Sequence, residues 1–384
     1  MIYFDTAATS RVSDTVIEDI TWCLKNVQGN PSSIHSEGHK AKMILEKSRK
    51  KVADYIGAEA DEIIFTASGS EANNLAIQGF LKANNLYDCI ITTEIEHPSV
   101  YNTCKKYEDT YKVAYIPLDN TGRVELNRFH QLITELSCRK FCFISVMMAN
   151  NEIGTIQPIQ EIVRESHRLE GIVHVDATQA IGNVPVNVKE LGVDLLTFSA
   201  HKLGLPRGVG VLYKRKGIKI EPIVYGGHQE NNLHAGTENV AMIYALGNQL
   251  KRINDKKFPN TETLNYLTCR IDDVCTELGI KLKMNGSILY RLPNILSLTF
   301  KGISAETLIT LMDIEGVCVS AGSACSSGEQ KPSRVLKAIG LSDEDAKSTV
   351  RISMDHDATV EDCDEFLRVL RNSLYTISKL TKEN

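Results

Sequence analysis

Three strand ends carry the residues most suited to chemistry. Lys202 closes the run Asp194-Leu-Leu-Thr-Phe-Ser-Ala-His-Lys202, with Ser199 and His201 beside it. A lysine at the carboxyl end of a strand can lose solvation, lower its pKa and attack an aldehyde as the free amine. Taken alone, a lysine after a strand is more often a solvated surface residue. Asp176 ends the apolar run Ile172-Val-His-Val-Asp176 and is followed by Ala-Thr-Gln179. A carboxylate in that position suits a protonated ring nitrogen, and the bland alternative is a strand-terminal turn residue. The third segment, Phe65-Thr-Ala-Ser-Gly-Ser-Glu-Ala-Asn-Asn74, reads as strand, small-residue turn and helix, with an N-cap expected near Ser70. Free N–H groups and the helix dipole there would seat a phosphate. Together these segments supply an amine, a ring-nitrogen partner and a phosphate cradle.

The elements that place them follow from periodicity. Short apolar, β-branched runs occur at Glu62–Thr66, Cys89–Thr93, Val113–Pro117, Phe141–Val146, Ile172–Asp176, Leu195–Ser199 and Val209–Tyr213. Amphipathic segments lie between several of them, at Glu71–Ala83, Ser99–Tyr107 and Pro158–Leu169. Strands alternating with helices predict an α/β fold around a mostly parallel seven-stranded sheet, covered on both faces. Ligands bind at the carboxyl ends of such strands. At Lys251–Pro259 the texture turns charged and polar, as in a linker. Beyond it, a helix over Glu262–Leu278, a strand around Ile295–Phe300, a helix from Ala305, a short strand around Val317–Ser320 and a final helix from Val360 predict a smaller α+β domain. A length of 384 residues also favours two domains. The expected partition is 12–255 for the large domain, and 1–11 with 256–384 for the small one.

Composition narrows the class. Hydrophobic residues make up 42% and charged residues 24%, with a net charge of −5. That balance offers no electrostatic footprint for nucleic acid or an anionic membrane, so a role near RNA would run through a partner protein. The start lacks a basic region followed by an apolar stretch, and no run reaches membrane-spanning length, so a cytoplasmic location is expected. Ten cysteines are scattered at positions 23, 89, 104, 138, 142, 269, 275, 318, 325 and 363 without CxxC pairs or zinc-like spacing. No metal is expected.

Further segments complete a pattern. They are Tyr3-Phe-Asp-Thr-Ala-Ala-Thr9, Asn30-Pro-Ser-Ser-Ile-His35, Glu96-His97, Asn150-Asn-Glu-Ile-Gly154, Gly236-Thr-Glu-Asn239, Ser320-Ala-Gly-Ser-Ala-Cys325 and Val350-Arg-Ile-Ser353. With the three segments above, this ordered set resembles the cysteine desulfurases, in the class-V aminotransferase branch of the fold-type I pyridoxal-phosphate transferases. The resemblance implies pyridoxal 5′-phosphate as cofactor, bonded to Lys202. It implies that Asp176 pairs with the ring nitrogen, Gln179 meets the ring hydroxyl, and His97 stacks on the ring and relays protons. Gly69, Ser70, Ser199 and His201 would hold the phosphate, with Thr237 arriving from the other subunit of a homodimer. Asn151 and Arg351 would engage the substrate carboxylate, Asn151 also touching the cofactor. These roles make chemical sense, since imidazole moves protons near neutral pH and guanidinium matches a carboxylate in a fork.

Cys325 would be the persulfide carrier. It sits in Ser320-Ala-Gly-Ser-Ala-Cys-Ser-Ser-Gly-Glu-Gln-Lys-Pro332, a stretch too polar for a core, whereas an arbitrary cysteine is most often a buried hydrophobe. The length of this loop resembles the subgroup serving iron–sulfur assembly and tRNA thiolation. The expected reaction turns L-cysteine into L-alanine and passes sulfur to an acceptor protein. The rivals are selenocysteine lyase, another class-V aminotransferase or lyase, and an idle scaffold for sulfur transfer. Thr6, Leu205, Asn231, His234 and Asp355 depart from the family's usual residues, Asn231 and His234 standing where arginines are often found.

Overall fold

Two-sided burial explains the apolar runs. In the computed structural model, which describes residues 1–137, 141–255, 261–322 and 332–382, the strands are β1 (Ile2–Tyr3), β2 (Ile63–Thr66), β3 (Tyr87–Thr92), β4 (Lys112–Tyr115), β5 (Phe141–Met147), β6 (Ile172–Asp176), β7 (Leu195–Ser199) and β8 (Gly210–Lys214). They continue as β9 (Leu282–Asn285), β10 (Ile295–Phe300), β11 (Val317–Cys318), β12 (Ser320–Ala321) and β13 (Thr349–Ser353). Strands β2 and β7 are buried along their whole lengths, and β5 and β6 beyond their first residues. With both faces covered, the polar alternation of a half-exposed strand disappears.

The large sheet has the order β2-β8-β7-β6-β5-β3-β4. Strands β3 to β7 pair in parallel, while β8 runs antiparallel to β7 and β2. Successive side chains go to opposite faces, so Ile144, Leu196 and Val211 join one apolar core while Phe143, Leu195 and Leu212 join another. The first core includes Val52 of the helix Ser36–Ile56 and Leu246 and Leu250 of the helix Val240–Asp255, two helices that pack together. Lys251–Asp255 therefore continue a helix rather than begin a linker, with Ile253 still packed on the core and the charges on the solvent side. Residues 256–260 lie outside the described residues.

The expected helix Glu71–Ala83 is divided into Gly69–Asn74, a π-helical turn at Leu75–Gly79, and Phe80–Ala83. Its N-cap is Ser68, not Ser70. Ser68 Oγ accepts from the Glu71 N–H at 3.1 Å, and Glu71 Oε2 accepts from the Ala67 N–H at 2.7 Å, which settles the start two residues earlier. Strand β8 passes so close to this turn that a Cβ on Gly210 would lie 2.2 Å from the Ser68 carbonyl oxygen.

The second sheet, β12-β13-β10-β9, is antiparallel and packs Leu298 and Ile352 against Leu267, Leu308 and Phe366 from three helices, Glu262–Leu278, Ala305–Ile314 and Val360–Lys382. The single strand expected at Val317–Ser320 is two short ones with different partners, β11 beside β1 and β12 beside β13. Ile2 and Phe4 join this core, Ala7 joins the large-sheet core, and so do Leu292 and Ile295. Among the described residues no helix is long and apolar enough to cross a membrane.

Candidate active site

The carboxyl ends of β6 and β7, the start of the helix Gly69–Asn74 and the beginning of the chain enclose one side of a cleft of about 620 Å³. Lys202 follows β7, and its Nζ donates to the Ala7 and Ala8 carbonyl oxygens at 2.5 and 2.6 Å. The buried Gln179 donates from Nε2 to the same Ala7 oxygen at 3.1 Å. Asp176, at the tip of β6, accepts from the Thr178 N–H at Oδ1 (2.9 Å) and from Asn73 Nδ2 at Oδ2 (2.8 Å). Gly69 lies against Ser199 so closely that a Cβ would stand 2.9 Å from the serine Cβ, which keeps this corner open. His201 is 3.2 Å from Thr9 Oγ1 through Nδ1, and burial, then the Lys202 and Arg207 charges, push it down to about 4. It is therefore a neutral ring near neutral pH, able to offer a hydrogen bond rather than a charge.

The opposite side is built from the turn after β3, the segment after β5, β13 and residues 332–335. His97 caps the helix Pro98–Lys105, its Nδ1 accepting from the Ser99 N–H at 3.2 Å and lying 2.7 Å from Ser99 Oγ. Burial lowers its pKa against the pull of Asp176. Arg351 is 1% exposed in the middle of β13. It donates from Nη1 to the Asn151 carbonyl oxygen at 3.0 Å and from Nη2 to Asp5 Oδ1 at 2.7 Å, while Nε is buried without a hydrogen-bond partner among the described residues. Two buried carboxyls complete this wall. Glu96 is pushed up to about 8 by burial, although Thr93 Oγ1 and the Met147 N–H donate to it. Glu152 is pushed up to about 7 by burial, against the Ser333 hydroxyl at 2.5 Å and the arginine charges. Arg334 lies 3.7 Å over the Tyr101 ring, donates from Nη2 to the Glu96 carbonyl oxygen, and buries Nη1 without a hydrogen-bond partner among the described residues.

The class-V aminotransferase profile matches residues 2–366. A protein of Dictyoglomus turgidum named "Cysteine desulfurase IscS" is 40% identical over 391 aligned positions, covering 100% of this chain and 97% of its own. The "Putative cysteine desulfurase IscS 1" of Bacillus subtilis is 39% identical, over 94% of this chain and 95% of its own. The chain belongs to the class-V aminotransferase family, in its cysteine desulfurase branch. A solved structure titled "NIFS-LIKE PROTEIN" superposes with a TM-score of 0.88 at 34% identity, over 98% of this chain and 99% of that one. Another, "SspA in complex with cysteine", gives 0.79 at 31% identity over 92% and 99%.

This family's enzymes use pyridoxal phosphate, and the cleft fits it: an amine, a buried carboxylate and an open glycine corner face one space. Gly69, Ser70, His97, Asn151, Asp176, Gln179, Ser199, His201, Lys202 and Arg351 all line it. Thr237 does not; it is exposed, next to Gly236 at φ 117°. Cys325 lies outside the described residues. Of the desulfurase-branch departures, Thr6 is buried and donates to the Met354 carbonyl oxygen at 3.0 Å, and Leu205 fills the large core. Asp355 accepts from the His356 N–H at 2.8 Å. Asn231 has φ 57°, beside Glu230, which Arg49 grips at 2.7 and 2.8 Å, and His234 Nε2 lies 3.0 Å from Glu71 Oε1. Sequence reasoning gave no role to Asn73, Ser99, Glu96, Glu152 or Arg334. Asn73, Glu96 and Glu152 stand inside quoted motifs and Ser99 two positions beyond one, but a motif names neighbours along the chain, not hydrogen bonds across it.

Proposed function

We propose that this protein is a cysteine desulfurase that converts L-cysteine and a protein thiol into L-alanine and a protein persulfide. The observation that carries this is the meeting of Lys202, Asp176 and Arg351 in one cleft. When bound, pyridoxal phosphate would supply the electron sink for loss of the substrate α-proton. Asp176 would face its ring nitrogen, Gln179 its hydroxyl, and Gly69, Ser70, Ser199 and His201 its phosphate, with Thr237 of a second subunit in a homodimer. Lys202 would carry the cofactor, its amine leaving the Ala7 and Ala8 carbonyl oxygens, and would then take the α-proton. Arg351 and Asn151 orient the substrate carboxylate, and His97 holds or gives a proton beside the ring.

The thiolate of Cys325 takes the substrate sulfur: the carbon–sulfur bond breaks, a sulfur–sulfur bond forms, and the β-carbon gains a proton. The persulfide then serves an acceptor protein in iron–sulfur cluster assembly or tRNA thiolation, in the cytoplasm. We place the domain division at 12–255 and 1–11 with 256–384; the second core, with Ile2, Phe4 and residues 264–377, favours it, while Ala7, Leu292 and Ile295 pack across to the large-sheet core. Incubating the purified protein with L-cysteine and a thiol tests the whole reading. Alanine and sulfide in equal amounts support it, and pyruvate, or release from selenocysteine alone, would replace it. Sedimentation checks the homodimer.

A further inference from the structure

A buried polar chain runs from inside the large sheet to both sides of the cleft. Ser145, His174 and Thr197 are wholly buried on β5, β6 and β7, and Asn73 is 2% exposed on the adjoining helix. Ser145 Oγ lies 2.8 Å from His174 Nδ1, and His174 Nε2 lies 3.1 Å from Thr197 Oγ1. Thr197 Oγ1 donates to Asn73 Oδ1. Asn73 Nδ2 then donates twice, to Asp176 Oδ2 at 2.8 Å and to Ser99 Oγ at 2.9 Å.

These contacts allow only one order of protons. A carboxylate can only accept, so the Asp176 side of the amide must be the NH₂. The amide oxygen therefore faces Thr197, whose hydroxyl must donate to it. The threonine oxygen is left to accept from His174 Nε2–H, and His174 Nδ1 accepts from Ser145. Burial holds His174 down at about 4, so the ring carries the single proton this order requires. On the other arm, the Ser99 N–H donates to His97 Nδ1, which makes that nitrogen an acceptor, so the Ser99 hydroxyl, 2.7 Å from it and accepting from Asn73, turns its proton to the same Nδ1. That leaves Nε2 as the nitrogen that carries the proton of neutral His97.

We infer that Asn73 is the positioning residue of this site: its one carboxamide sets both the Asp176 carboxylate and, through Ser99, the hydrogen bond at His97 Nδ1. Asp176, which would face the cofactor's ring nitrogen, and His97, which would stack on its ring, are thus set by the same group, and Thr197 fixes which way that group faces. Proton exchange at His97 is confined to Nε2. The inference rests on the pyridoxal-phosphate reading above, and its test separates the two.

Asn73→Ala, Thr197→Val and Ser99→Ala are compared in the cofactor-loaded protein by cofactor dissociation constant and by the pH midpoint of the visible absorption band. In protein stripped of cofactor they are compared by the ¹⁵N resonance of His97 Nδ1. Asn73→Ala should weaken cofactor binding about 10- to 100-fold, as loss of one hydrogen bond to a charged group does. It should also shift the band midpoint and move the Nδ1 resonance. Thr197→Val, nearly isosteric, should weaken binding about 3- to 10-fold. Ser99→Ala should move Nδ1 while cofactor affinity stays within about threefold. Melting temperatures lowered with affinity, midpoint and Nδ1 all unchanged would reduce Asn73 to a structural residue and overturn the inference. If Asn73→Ala does not fold, Nδ1 unchanged in Ser99→Ala together with unchanged affinity and midpoint in Thr197→Val does the same. A wild type that binds no pyridoxal phosphate would sink the functional reading instead, and the Nδ1 comparison would still decide the chain of hydrogen bonds.

Discussion

The two sides of the cleft are finished to different degrees. On the β6–β7 side, Asp176 has a donor at each oxygen, and Lys202 and Gln179 converge on one carbonyl oxygen. On the β13 side, Glu96 Oε2, Arg334 Nη1 and Arg351 Nε are all buried without hydrogen-bond partners among the described residues. A buried, unsatisfied polar atom costs roughly 1–3 kcal/mol, so three on one wall need an explanation. Preorganised groups suit a resident ring that stays through every turnover. Incomplete groups suit a ligand that comes and goes, carrying a carboxylate to complete them. The contrast fits the proposed roles: the finished groups of β6–β7, with His97 across from them, would hold the cofactor, and the unfinished arginines would admit the substrate carboxylate.

Breaking the finished side should cost most. Lys202→Ala should remove the visible band of the purified protein and lower alanine formation by at least ~10³-fold. A variant that kept the wild-type spectrum would take Lys202 out of its role. Cys325→Ser sharpens the contrast, because it should spare everything on the β6–β7 side. The band should persist while alanine formation falls at least ~100-fold, since a serine hydroxyl cannot accept sulfur as a thiolate does. Mass spectrometry after L-cysteine treatment should place one added sulfur on the Cys325 peptide of the wild type. Its appearance on the Cys318 peptide would reassign the acceptor.

Arg351→Lys probes the unfinished side while keeping a positive charge opposite Asp5. The fork is lost, so KM for L-cysteine should rise roughly tenfold with the band unmoved. A kcat loss at constant KM would place Arg351 elsewhere in the reaction. Glu96→Gln should have the smallest effect. Its carboxyl, ordinarily near 4.5, is raised to about 8. The folded state therefore holds the proton more tightly than the unfolded chain, and stability from this group is lost as pH rises from about 4.5 towards 8. The variant cannot ionise and should escape that loss. Its melting temperature should gain about 1–4 °C on the wild type between pH 5 and pH 8, and parallel pH curves would show that Glu96 does not carry the shift.

Much of the fold was legible because the signals were local. The helix Glu262–Leu278 was expected with these bounds, and Gly279 at φ 68° supplies its stop. Strand β10 likewise coincides with its apolar run. Strand β13 was not anticipated as a strand, because Thr-Val-Arg-Ile-Ser places a charge at its centre and nothing nearby compensates it. The compensation is Asp5, 346 positions away in sequence. The shift of an N-cap from Ser70 to Ser68 has the opposite origin: two serines offered the same local signal, and the contacts of Glu71 and Ala67 chose between them. At the cleft, strand ends announced Lys202 and Asp176. Asn73 gave no such sign, since its meaning lies in donors and acceptors drawn from four separate elements.

The anchoring of Lys202 by Ala7 and Ala8 has a consequence for how the protein is made. Ala7 and the residues just before it are held by segments far along the chain: the Ala7 N–H donates to Ser353 Oγ across 346 positions, the Thr6 hydroxyl to the Met354 carbonyl oxygen, and the Phe4 N–H to the Cys318 carbonyl oxygen. On a ribosome adding about 5–20 residues per second, the partners of these first residues emerge roughly 15–70 s after them. The large sheet can assemble in that interval, yet the lysine's resting place cannot close. Loading of the proposed cofactor would thereby wait for residues 318–354, and a chain released before them would carry the lysine without the wall that holds it.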